Sequence, residues 1–252
     1  MIQSLGLVGY GHFGAFLHVL AKRHIPDTQL KIYSRRRTPD EVLFFPLEAV
    51  AACDAVILAV PIGQYGEFLD RIGPHLRADS VIVDVATVKK YTGDLVRAAA
   101  GGQPFVAMHP MFGPESYAKR DGDVTGFRIV ITESTLEAGP YQELLRQLRS
   151  IGFSIVEKSA DEHDRDLAET LFLTHYIGQV VAQGGFERTD IDTVSFGYLM
   201  DAVDSVRHDT RLFDDVFKYN PYCRQVIERF DKSERKILEQ LLGQSSPKTD
   251  GA

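Results

Sequence analysis

The sequence predicts an α/β protein: a mostly parallel β-sheet over residues 1–157, an all-helical domain over residues 158–243, and a short polar tail, 244–252. Three observations carry this. Short apolar runs alternate with amphipathic segments through the first half, the pattern of a parallel sheet covered on both faces. The alternation stops near residue 158. And a glycine-rich turn, GYGHFG at Gly9–Gly14, follows the first apolar run directly.

Strand-like runs occur at Ser4–Gly9, Leu30–Ser34, Ala55–Val60, Ser80–Val85, Phe105–Met108, Phe127–Thr132 and Phe153–Glu157. Pro61 should end the third, because it has no N–H to give a ladder. Between the runs, Phe13, Phe16, Leu17 and Leu20 share one helical face, as do Tyr141, Leu144, Leu145 and Leu148. At the domain change, SADE reads as a capping box with Ser159 as N-cap and Glu162 reaching back. A long helix follows, with Leu167, Leu171, Phe172, His175 and Gly178 at helical spacing. Asn220 and Pro221 open the last helix, whose apolar face holds Val226, Phe230, Ile237 and Leu241. The tail GQSSPKTDGA is polar enough to be disordered.

Composition narrows the function. Of the 252 residues, 44% are hydrophobic and 25% charged, ordinary for a globular protein. No apolar run is long enough for a membrane span, and the N-terminus enters a strand at once without the layout of a signal peptide. Two cysteines, Cys53 and Cys223, make no disulfide framework and lack metal-ligand spacing, so a cytoplasmic setting and no metal are expected. A net charge of −7 argues against a nucleic-acid partner and leaves a small molecule.

The glycine turn sits where a dinucleotide-binding, Rossmann-type turn must sit, between a first strand and the helix it opens. Gly9 allows the tight turn, Gly11 the approach of a pyrophosphate, and Gly14 close helix–strand packing. His12 and Phe13 begin the helix whose N-terminus faces the phosphates. Val60 and Pro61, just past the third strand, complete the cofactor set. The second strand ends in Ser34 followed by Arg35, Arg36 and Arg37, with no carboxylate for a ribose 2′-hydroxyl. A hydroxyl and guanidinium groups suit a 2′-phosphate, so the expected cofactor is NADP.

Two further stretches, DVATVKK at Asp84–Lys90 and HPMFGPES at His109–Ser116, join the glycine turn, EHD at Glu162–Asp164 and YNP at Tyr219–Pro221. Together they resemble the prephenate/arogenate dehydrogenases of tyrosine biosynthesis, plant-type arogenate dehydrogenases most closely, over nearly the whole chain. The resemblance implies oxidative decarboxylation of a cyclohexadienol, with His109 as the catalytic base for the ring hydroxyl. It places Thr87 where many members carry serine, as a hydroxyl that bonds the histidine or the substrate. Pro110, Met111 and Gly113 then line the substrate, and His175 matches a substrate-facing histidine, although a buried core histidine fits the same position. His163 and Asp164 resemble a structural pair.

Where many bacterial members place an arginine, the resemblance puts Asp204 or a close neighbour, and Asp201 and Asp204 lie three apart on one helical face. Two carboxylates attract the ammonium of arogenate and repel the more anionic prephenate, which makes arogenate the expected substrate; a solvated acidic face is the plainer reading. Arg207 and Arg211 are candidates for a substrate carboxylate. A β-hydroxyacid dehydrogenase is disfavoured because ETLFLTHYIG carries no lysine, and a non-catalytic NADP sensor would not need His109 beside Thr87. Excess apolar surface in the helical domain implies a homodimer formed through it.

Overall fold

A computed structural model of the chain describes residues 2–243, so the disordered tail expected at 244–252 lies outside the described residues. Seven strands form one sheet in the order β2-β1-β3-β4-β5-β6-β7: β1 Ser4–Val8, β2 Gln29–Tyr33, β3 Ala55–Leu58, β4 Val81–Asp84, β5 Phe105–Pro110, β6 Arg128–Ser134 and β7 Ser154–Glu157. Each lies within two residues of its expected bounds. All neighbours run parallel except β5 and β6. The helices of this half are α1 His12–His24, α2 Leu47–Ala51, α3 Tyr65–Ile72, α4 Lys89–Ala100, α5 Pro114–Ala118 and α6 Ala138–Ile151.

Right-handed crossovers decide which face each helix covers. The sheet steps one way from β1 to β2 and the other way from β3 to β5, so α1 lies on one face and α2, α3 and α4 on the other. Because β6 runs backwards, α6 returns to the α1 face. The core there joins Phe16 and Leu20 of α1 to Val106, Met108, Ile129, Ile131 and Leu145. The register lines up the C-terminal ends of β1, β3 and β4, Val8 pairing with Leu58 and Leu58 with Asp84, while β5 runs on from Ala107, opposite Asp84, to Pro110. Strand order reverses around β1, the place where open α/β sheets bind ligands.

The second half is helical: α7 Ala160–Leu167, α8 Leu173–Gln183, α9 Val194–Val206, α10 Thr210–Tyr219 and α11 Cys223–Gly243, with no strand among the described residues beyond Glu157. The capping box forms as read: the Glu162 backbone N–H donates to Ser159 Oγ at 3.2 Å, and the Ser159 N–H to Glu162 Oε2 at 3.0 Å. The expected long helix is interrupted by a π-type turn, Ala168–Phe172, between α7 and α8. The compact units divide at Asp164/Arg165, later than the expected 157/158. The reason is Asp164 itself, whose carboxylate accepts the Lys89 and Lys90 backbone N–H groups at 2.8 and 2.9 Å and ties the start of α7 to α4.

Within the helical unit, Phe172 is fully buried and stacks against Phe213 and Phe217. Val226 is buried on α11, whereas Ile237 and Leu241, expected on the same apolar face, are 55% and 60% exposed. No described helix is long and apolar enough to cross a membrane.

Candidate active site

The site grows out of the aligned strand ends. After β1, Gly9 has φ +108°, a left-handed conformation that favours glycine, and a Cβ there would lie 2.3 Å from the Ala59 carbonyl oxygen. At Gly14 a Cβ would lie 2.2 Å from the Gly9 oxygen, so the helix packs on the turn at a distance only glycine permits. A Cβ on Gly11, by contrast, would meet nothing within 4 Å. Gly11 is the N-cap of α1 and uses no side chain, so the first N–H groups of that helix are left for an anion. His12 is exposed and Phe13 half-buried at the same end; Val60 and Pro61 follow β3 beside Ala59. The turn therefore fits a dinucleotide pyrophosphate.

The second strand delivers its basic end to the same edge. Gly9 N–H donates to the Tyr33 carbonyl at 2.9 Å, which places Ser34 next to the glycine turn. Arg35 bonds Gln64 at 2.6 Å and lies over the Phe68 ring; Arg37 lies over Phe44. Arg36 follows on the same exposed turn, and its N–H donates to Ser34 Oγ at 3.3 Å.

After β4, a buried polar cluster holds the neighbouring turn. Asp84 and Lys89 are both fully buried and paired, with Nζ 2.8 Å from Oδ2. The same ammonium donates to the Met108 carbonyl at 2.7 Å, fastening β5 one residue before His109. Tyr65 and Thr92 donate to the two Asp84 oxygens at 2.8 Å each. Burial draws Lys89 below its ordinary pKa, and the Asp84 carboxylate opposes that.

His109 stands near the end of β5, after a register shift against β6 at Ala107/Met108 of the kind that re-aims a side chain. It is 6% exposed. Its Nδ1 lies 2.9 Å from His163 Nε2, and His163 Nδ1 lies 2.8 Å from Asp164 Oδ1. Burial holds the His109 pKa well below 6.5, and the neighbouring His163 and Lys89 push the same way, so the ring is neutral at physiological pH. A neutral imidazole is a proton acceptor, which is what a base must be.

Thr87 is half-buried after β4 and makes no hydrogen bond to His109, whose Nδ1 meets His163 instead. Pro110 is buried in β5, Met111 is 38% exposed, and Gly113 caps α5. In that loop Glu115 lies 3.5 Å from His12, so the HPMFGPES segment meets the glycine-turn helix. His163 and Asp164, read from the sequence only as resembling a structural pair, meet His109 and the start of α4, a placement that needs the fold.

In the helical unit, His175 is buried on α8, and its Nδ1 has no hydrogen-bond partner among the described residues. Desolvation lowers its pKa. Asp201 and Asp204 do share a face of α9, but both are engaged by arginine. Arg188 lies 2.6 Å from Asp201 and 3.8 Å from Asp204, and Arg207 lies 3.1 Å from Asp204. Arg211 is exposed on α10. Among the described residues no three His, Cys, Asp or Glu side chains cluster as a metal site requires.

A glycine turn after β1 that fits a phosphate, with a buried, neutral histidine at the same sheet edge, suits the class of dinucleotide-binding oxidoreductases. Comparison with known proteins narrows the class. Residues 39–130 match the family model "Prephenate dehydrogenase, nucleotide-binding domain", and residues 180–251 match "TYRAAT1-like, C-terminal domain". The chain is 29% identical to arogenate dehydrogenase 2, chloroplastic, of Arabidopsis thaliana, over 95% of this chain and 70% of that one. It is 25% identical to the cyclohexadienyl dehydrogenase of Zymomonas mobilis, over 97% of this chain and 90% of the relative. Among solved structures, Aquifex aeolicus prephenate dehydrogenase in complex with hydroxyphenyl propionate and NAD+ shares the fold, with a TM-score of 0.74 at 19% identity over 97% of this chain and 92% of that one. Over most of its length the chain is thus similar to prephenate and arogenate dehydrogenases.

Proposed function

We propose that the protein oxidises and decarboxylates arogenate to tyrosine, with NADP as hydride acceptor. His109 carries the reading: a buried, neutral imidazole at the strand edge it shares with the glycine turn. It accepts the proton of the ring hydroxyl as the carbon bearing that hydroxyl loses its hydride. Carbon dioxide then leaves from the opposite ring carbon, its bonding electrons complete the aromatic ring, and the oxygen recovers a proton as the phenol. NADP, when bound, supplies the acceptor for that hydride. Gly9, Gly11 and Gly14, with His12 and Phe13, fit its pyrophosphate; Ser34, Arg35 and Arg36 supply a hydroxyl and two guanidinium groups for a 2′-phosphate. Thr87, Pro110, Met111 and Gly113 adjoin His109 in the chain or at the strand ends and are assigned to the substrate and its hydroxyl. From the helical unit the family resemblance assigns His175, whose buried Nδ1 wants a partner.

Arogenate is favoured by Asp201 and Asp204 and by the Arabidopsis relative. A specific observation favours the second reading, prephenate oxidised to 4-hydroxyphenylpyruvate: Arg188 and Arg207 neutralise both carboxylates, which weakens their hold on an ammonium. Homodimerisation through the helical unit is part of the proposal, supported by Tyr198, Ile237 and Leu241, all more than half exposed. A matrix of initial rates, arogenate and prephenate each against NADP and NAD, tests the reading. The arogenate–NADP combination should give the highest kcat/KM; a higher value with prephenate would replace the substrate, and with NAD the cofactor.

A further inference from the structure

We propose that His163 and Asp164 are positioning residues that fix the tautomer of His109, leaving its Nε2 as the proton acceptor. The proposal rests on the reading of His109 as the base, and it is carried by a count of donors along one buried chain of hydrogen bonds.

The count starts at α4. The backbone N–H groups of Lys89 and Lys90 are among the unpaired donors every helix N-terminus presents, and they donate to Asp164 Oδ1 and Oδ2 at 2.8 and 2.9 Å. Both carboxylate oxygens are thus acceptors, set against the positive end of a helix. The next contact, His163 Nδ1 at 2.8 Å from Oδ1, must therefore be a donated N–H. In its uncharged form, protonated at Nδ1, the His163 ring has a lone pair at Nε2. That lone pair faces His109 Nδ1 at 2.9 Å, so His109 donates, and its own Nε2 carries the remaining lone pair.

The opposite tautomer of His109 would set two lone pairs against each other inside a site where Asp164 is fully buried and His163 is 3% exposed. Water does not reach such a pair to relieve it, and an unmade hydrogen bond there is costly. When Nε2 takes a proton, the Nδ1–H of the resulting cation still points along the chain toward Asp164, which disperses the new charge. The groups facing the ring are His163, with Asp164 behind it, and Lys89, paired with Asp84; His163 and Lys89 both disfavour a cation on His109.

Nitrogen-15 NMR of the histidine-labelled protein reads the tautomers without any substrate. The expected spectrum has Nδ1 of both His109 and His163 protonated and Nε2 of both unprotonated; a His109 protonated at Nε2 overturns the proposal. His163→Leu removes the acceptor and should scramble the His109 signals and lower kcat on the order of 100-fold with little change in KM. His163→Gln keeps an acceptor at the Nε2 position and should restore the Nδ1–H tautomer and most of kcat. Equal activity in the Leu and Gln variants with an unchanged His109 spectrum would refute the role. Should the protein oxidise neither arogenate nor prephenate, the spectrum still decides the tautomer, so the two readings fail separately.

Discussion

Two carboxylates in this protein each meet a cation at nearly the same distance: Asp84 with Lys89 at 2.8 Å and Asp201 with Arg188 at 2.6 Å. The first pair is wholly buried and bonds the residue before His109; the second is about half exposed on α9. Distance does not distinguish them, and solvent does. Around Asp84 every oxygen is spoken for by Tyr65, Thr92, Lys89 or the Ala86 N–H, so the cluster has one arrangement and can hold a neighbouring strand in place. Around Asp201 water competes, and the arginine is free to leave. The buried pair builds the site, whereas the exposed pair can tune it.

Breaking the buried side should cost most. Lys89→Met strips Asp84 of its counter-ion in a dry environment and should lower unfolding stability by about 3–5 kcal/mol. Urea denaturation reads this directly, and a loss below 1 kcal/mol would show that the cluster is not as constrained as its geometry implies.

Acid sharpens the same contrast. His109, His175 and His18 are buried with pKa values depressed below 6.5, and half-buried His24 is depressed as well. At pH values under 6.5 the unfolded chain binds protons that these folded rings refuse, so stability is complete above 6.5 and declines as pH falls toward their folded values. Thermal melts between pH 8 and pH 5 should show Tm falling on the acid side; a flat Tm would mean that the rings are wetter than the fold indicates.

Cofactor choice lies on the exposed side and should respond more modestly. Replacing Arg35 and Arg36 together by alanine should raise KM for NADP about 10-fold and leave KM for NAD unchanged, since only the 2′-phosphate contacts are lost. Equal effects on both cofactors would remove the arginines from the discrimination. Smallest of all is Asp201→Asn. An exposed pair contributes up to about 1 kcal/mol, so stability should barely move, while kcat/KM for prephenate relative to arogenate should rise a few-fold. An unchanged ratio would leave Asp201 as a surface acid held by Arg188.

Much of this was legible in the chain. The seven apolar runs became the seven strands because a run of Val, Ile and Leu bounded by turn residues has few other uses, and the glycine turn announced its position through its neighbours. The direction of β6 was not legible, because an apolar run reads alike either way and only the connection through α5 sets it antiparallel. Nor was the relay through His163. Residues 54 positions apart meet only once β5 and α7 are placed, and EHD by itself looks like an ordinary helix start. The pairing of Asp201 with Arg188 was hidden for the same reason: helical spacing puts the two acids on one face but says nothing of the loop arginine that covers them.

The most direct test of His109 as the base is the rate of NADP reduction by arogenate in the wild-type protein and in His109→Gln. The account predicts a drop in kcat of roughly 10²–10⁴-fold with the fold intact by circular dichroism. A variant that reduces NADP as fast as the wild type would contradict it.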